Sequence, residues 1–128
     1  MGRQDSARGV TVLIVEDHQD FLDVLSRVFR LYGALVVAAR SRDAALACLA
    51  TIVPDVVLTD LDLADHTGLE LIRSLHEDPR YARIPVFAVT AGIEAATQGT
   101  ARTAGLAGVF VKPIDAMELV PHVLARLH

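Results

Sequence analysis

A single cysteine, Cys48, occurs in the 128 residues, so no internal disulfide can form, and lone thiol usage fits a reducing compartment such as the cytoplasm. Its place in an apolar, helix-like run marks it as a small core residue. Long apolar runs are missing: none approaches the roughly 18 residues that a membrane-spanning helix needs. The opening MGRQDSARG is polar and lacks a signal peptide's hydrophobic region. Positive charge is also short, with 12 Lys and Arg against 16 Asp and Glu and a formal net charge of −4. Without a basic stripe, direct binding of nucleic acid is not expected. Neither G-x-G-x-x-G nor a P-loop occurs, which argues against the common nucleotide cradles.

What is present is a globular composition, 52% hydrophobic and 22% charged, in a chain long enough for one core. Residues 1–9 read as a flexible N-terminal tail and 10–128 as one domain. The short β-branched run VTVLIV (10–15) predicts a buried strand, and the apolar runs ALVVAA (34–39), VVLT (56–59), IPVFAVT (84–90) and GVFV (108–111) predict four more strands. Between them lie helical patterns. Over 18–32, Phe21, Val24, Leu25, Val28 and Leu31 share one face. Ser41 caps a helix to about Ala50, and Thr67 with Glu70 forms a capping box for a helix from about Gly68 to Glu77. A weak helix is expected around 95–104, where Gly99 and several threonines lower propensity. Asp115 and Glu118 cap a last helix to about Leu127, in which Pro121 predicts a kink or a late start. Five strands alternating with five helices imply an α/β, doubly wound parallel sheet with helices on both faces.

In such sheets ligands bind beyond the carboxyl ends of the strands. Polar residues accumulate at those ends: Glu16 and Asp17 after the first strand, Asp60 after the third, Thr90 after the fourth and Lys112-Pro113 after the fifth. Singly, each has an ordinary explanation as a helix-dipole partner, a turn residue or a solvated lysine. Together on one rim they make a chemical set. Glu16, Asp17 and Asp60 form a hard oxygen site suited to Mg²⁺, whose charge would offset the repulsion within PDVVLTDLDLADHTGLEL, where Asp62 and Asp65 follow Asp60. One carboxylate can act as a nucleophile toward a phosphoryl group, with the lysine neutralising its oxygens and the threonine donating a hydrogen bond. Ala91 and Gly92 leave room for it. The five histidines, His18, His66, His76, His122 and His128, show no metal-ligand spacing.

The set VED (15–17), TDLDLADHTG (59–68), VTA (89–91) and VKP (111–113) resembles the receiver domain of two-component response regulators, over about residues 10 to 127. The resemblance implies a flavodoxin-like strand order 2-1-3-4-5. It implies that Asp60 accepts a phosphoryl group from a histidine kinase or histidine phosphotransfer protein. Asp17 would bind Mg²⁺ directly, Glu16 largely through water, and the backbone carbonyl of Asp62 would be a further ligand. Thr90 and Lys112 would contact the phosphoryl group, the Lys112-Pro113 peptide would be cis, and Gly68 would fit the turn into the third helix. Such a domain is a switch rather than an enzyme. It would act on a downstream protein target through the face formed by the helix at 95–104, the fifth strand and the last helix, which also offers a weak homodimer contact. Direct contact with nucleic acid or membrane is not implied.

Four departures stand out. Val109 holds the place of the family's usual switch aromatic, and Phe110 beside it falls on the opposite sheet face. Ala64 replaces a common proline. Asp62 puts a carboxylate two residues past the acceptor, where it is expected to tune phosphoryl lifetime. The helix at 95–104 is intrinsically weak. Two alternatives remain open: a pseudo-receiver that binds partners without phosphorylation, and a small Asp-nucleophile phosphatase, because DLD after a strand resembles the haloacid-dehalogenase-like motif.

Overall fold

Near-continuous apolar runs bury both faces of a sheet only if helices cover each side. That is how this chain is built. The computed structural model describes residues 7–63, 68–92 and 105–127. The elements run β1 (Thr11–Val15), α1 (Gln19–Leu31), β2 (Leu35–Ala39), α2 (Arg42–Leu49), β3 (Val56–Asp60), α3 (Gly68–Glu77), β4 (Val86–Thr90), β5 (Gly108–Val111) and α4 (Ala116–Ala125). All strand pairs are parallel, in the order β2-β1-β3-β4-β5. The flavodoxin-like order is therefore as expected. Four helices occur among the described residues, and the helix expected at 95–104 lies outside them.

Alternation along the strands separates two cores. Val12, Ile14, Val56, Leu58, Phe87 and Val89 face α1 and α4, whose Leu25, Phe29, Leu119 and Val123 close that side. Leu13, Val15, Val57 and Val86 face α2 and α3, meeting Leu49, Leu71, Ile72 and Leu75. Packing begins before Val10: Ala7 is fully buried, and its N–H donates to the Tyr32 carbonyl at 2.8 Å.

Several expectations change on contact with the fold. In α1 the buried residues are Leu22, Leu25, Ser26, Val28 and Phe29, whereas Val24 and Leu31 are 46% and 54% exposed. Two apolar stripes overlap on this helix, and buried Ser26 disguised the true one. Its hydroxyl donates to the Leu22 carbonyl one turn back at 2.7 Å, so burial leaves no polar group unpaired. Ser41 does cap α2, accepting the Ala44 N–H. Asp115 caps α4 by accepting the Met117 N–H at 2.8 Å. No late start follows from Pro121, because α4 runs from Ala116 through it to Ala125. The intrahelical bond that Pro121 removes is to the carbonyl of Met117, a residue 56% exposed. Thr67, the other half of the expected capping box for α3, lies outside the described residues.

One glycine positions the functional rim. A side-chain carbon at Gly68 would lie 2.7 Å from the Asp60 carbonyl oxygen and 2.8 Å from the Leu61 Cα. Only glycine lets the start of α3 sit against the backbone that leaves β3. No helix among the described residues is long and apolar enough to cross a membrane.

Candidate functional site

Each candidate side chain is delivered by a strand end. β1 gives way to Glu16, whose N–H continues the ladder to the Ala39 carbonyl at 3.0 Å. Asp60 closes β3, paired in register with Val89 on β4. Lys112 follows β5 and donates its N–H to the Thr90 carbonyl at 2.8 Å. The two buried carboxylates then share one ammonium: Lys112 Nζ lies 3.0 Å from Asp60 Oδ2 and 3.1 Å from Glu16 Oε1. The aromatic ring of Phe21, from α1, lies 5.2 Å from the same ammonium. The Lys112-Pro113 peptide is cis.

Burial of these groups sets their protonation. Desolvation pushes the Glu16 carboxyl above its ordinary value. The nearby Asp60 carboxylate adds to this, and the His18 N–H and the Lys112 charge pull the other way. For Lys112, burial disfavours the ammonium, but the hydrogen bond and charge of Asp60, followed by those of Glu16, outweigh it and raise its pKa. The lysine stays charged, held by its two carboxylates.

Asp17 completes the acidic group, with Arg40 Nη2 donating to its backbone carbonyl at 2.9 Å. Ligand atoms of Glu16, Asp17, His18 and Asp60 all lie within 4.8 Å of one another. Three carboxylates gathered beside the Lys112 ammonium concentrate oxygen donors and negative charge, a setting that suits a divalent cation. The oxygen donors fit Mg²⁺. His18, set aside in the sequence for want of spacing, belongs to this group. Its Nδ1 is 3.2 Å from Glu16 Oε2 and 3.4 Å from Asp17 Oδ1. The missed signal was adjacency, since a histidine directly after two rim acids needs no helical spacing to meet them.

The remaining two candidates meet each other. Asp62 donates its N–H to Asp60 Oδ1 at 2.7 Å. Its own carboxylate reaches β4, where Oδ2 accepts the Thr90 hydroxyl at 2.9 Å and the Ala91 N–H at 2.6 Å. The Thr90 hydroxyl oxygen in turn accepts the Gly92 N–H at 3.0 Å. Phe110 turns away from this rim, its ring stacked on Phe87 at 6.1 Å between centroids in the core beneath α1 and α4. Asp65 and His66 lie outside the described residues.

Known proteins give the same frame. The family model for the response regulator receiver domain matches residues 12–124, and the chain belongs to that family. RcaC of Microchaete diplosiphon is 28% identical over 116 residues, which cover 91% of this chain but 18% of RcaC. The polar-differentiation response regulator DivK of Brucella abortus is 28% identical over 117 residues, covering 91% of this chain and 95% of DivK. The chain thus spans under a fifth of one relative and nearly all of another. Among solved structures, the chemotaxis response regulator CheY4 of Vibrio cholerae superposes with a TM-score of 0.84 at 22% identity, covering 91% of this chain and 98% of CheY4. The chain is a receiver domain of two-component signalling.

Proposed function

We propose that this receiver accepts a phosphoryl group on Asp60 from a histidine kinase or histidine phosphotransfer protein, in a Mg²⁺-dependent reaction that changes partner binding. The observation that carries this reading is the Lys112 ammonium bridging buried Asp60 and Glu16, with Asp17 adjoining them. In the transfer, an Asp60 carboxylate oxygen forms a bond to phosphorus as the bond from phosphorus to the donor's histidine nitrogen breaks. The imidazole leaves with that electron pair. Lys112 neutralises charge on the phosphoryl oxygens, and the Thr90 hydroxyl and Ala91 N–H supply hydrogen bonds to them. Glu16, Asp17, Asp60 and the Asp62 backbone carbonyl would hold Mg²⁺. When bound, the ion supplies Lewis-acid charge that offsets the gathering negative charge.

The domain is in this reading a switch, not an enzyme acting on other substrates. Phosphorylation biases an equilibrium between two conformations, and the face around β5 and α4 carries the output to a protein target or, weakly, to a second copy. A cytoplasmic location belongs to the same reading.

The acceptor is identified by trapping. Borohydride reduces an acyl phosphate to an alcohol with release of phosphate, so treatment after incubation with a small acyl-phosphate donor leaves homoserine where the phosphoryl group was. Peptide mass mapping is expected to find homoserine at position 60 alone. Homoserine at another aspartate, with position 60 unchanged, would overturn the assignment.

A further inference from the structure

The Asp62 carboxylate occupies the donors that a phosphoryl group would need. Its Oδ2 accepts both the Thr90 hydroxyl, at 2.9 Å, and the Ala91 N–H, at 2.6 Å. Its backbone N–H is meanwhile bound to Asp60 Oδ1 at 2.7 Å, so this anion is tethered two residues from the acceptor. The Thr90 hydroxyl is fixed from both directions, donating to Asp62 and accepting from Gly92 at 3.0 Å. Two convergent donors on one oxygen are the arrangement expected for a bound oxyanion, and here the chain itself provides that oxyanion. A side chain directed only at solvent would not bridge segments 28 residues apart.

We propose that Asp62 is a resident anion of the phosphoryl subsite, which an incoming phosphoryl group must displace from Thr90 and Ala91. The inference rests on the phosphoacceptor reading of Asp60 and adds a competitor to it. Displacement costs two charge-assisted hydrogen bonds, and the displaced carboxylate then lies close to a group of its own sign. Asp62 therefore weakens binding of a phosphoryl group and raises the threshold for switching. Neutral asparagine retains an acceptor oxygen without the charge, and alanine removes both.

The test uses beryllium trifluoride, a tetrahedral phosphoryl mimic, titrated in the presence of Mg²⁺ and followed by ¹⁹F NMR. Wild type, Asp62→Ala, Asp62→Asn and Asp60→Asn are compared. The expected result is about tenfold tighter binding by Asp62→Ala than by wild type, since loss of a charge-assisted competitor is of that order. Asp62→Asn should fall between them, and Asp60→Asn should bind nothing. The Ala91 amide proton gives a second readout. It should move upfield in free Asp62→Ala as its short bond is lost, and return downfield when the mimic binds. Equal or weaker binding by both folded Asp62 variants would overturn the competitor and leave Asp60 as acceptor. Absence of any adduct on folded wild type and on both Asp62 variants would overturn the acceptor reading, and this inference with it.

Discussion

Lys112 carries the electrostatics of the rim, and it is the chain's one lysine, so every other fixed cation is an arginine. A planar guanidinium would fork toward two oxygens, whereas a compact ammonium can sit between Asp60 and Glu16 at 3.0 and 3.1 Å and turn toward an incoming group. Lys112→Met should therefore leave two buried carboxylates facing each other. Removing one partner of a fully buried pair costs about 3–5 kcal/mol, and Lys112 keeps a fifth of its side chain exposed, so a loss of about 2 kcal/mol is expected without metal. Chemical denaturation with and without Mg²⁺ would measure it, with a smaller loss when the ion is present. An unchanged midpoint in chelator would show that the ammonium is not holding the acids together. Away from the rim, the Arg80 side chain and then its N–H hold the Asp78 carboxyl below its ordinary value. A depressed carboxyl stabilises the fold above the unfolded chain's pKa and loses that contribution as pH falls through the folded one. Asp78→Asn should thus lower the melting temperature slightly at neutral pH and not at all in strong acid. A deficit that persists in acid would assign the effect to something other than this pair.

The elements show where the sequence was legible and where it was not. Strands were readable because the apolar runs are short and closed by polar residues, and four of the five lead into a rim residue, Glu16, Asp60, Thr90 or Lys112. Asp60, Glu16 and Lys112 were legible as a set for that reason. The buried stripe of α1 was not, because Val24 and Leu31 fit the helical period as well as Leu22 and Phe29, and only the position of the sheet separates them. Asp62 was legible as an acid but not as a partner of Thr90, since no sequence pattern reveals which way a carboxylate turns between two strand ends. The role of Gly68 has a sharp consequence. A methyl group there would meet backbone atoms on either side of the Asp60–Leu61 peptide bond, at 2.7 to 2.9 Å, with no flexible side chain to give way. Gly68→Ala should cost about 1–3 kcal/mol, the usual range for forced overpacking. It should also shift the Asp60 and Asp62 amide resonances. Wild-type stability would show that α3 can withdraw from β3 freely.

For the molecule as a whole, the design is a parallel sheet that gathers carboxylates at one end. Carboxylates held this close repel one another, so a divalent cation should act as a stabilising ligand. At 100 times its Kd, Mg²⁺ should add about 2.7 kcal/mol, reversibly on chelation, and Asp17→Asn should blunt the gain. A melting temperature insensitive to Mg²⁺ would separate the acidic cluster from metal binding. The metal and the acceptor come together in one measurement: intact mass after incubation with a small acyl-phosphate donor, with Mg²⁺ or with chelator, for wild type and Asp60→Asn. The account predicts one added phosphoryl group on wild type in Mg²⁺ and none in the other three samples. A phosphoryl group on Asp60→Asn, or equal labelling of wild type in chelator, would contradict it.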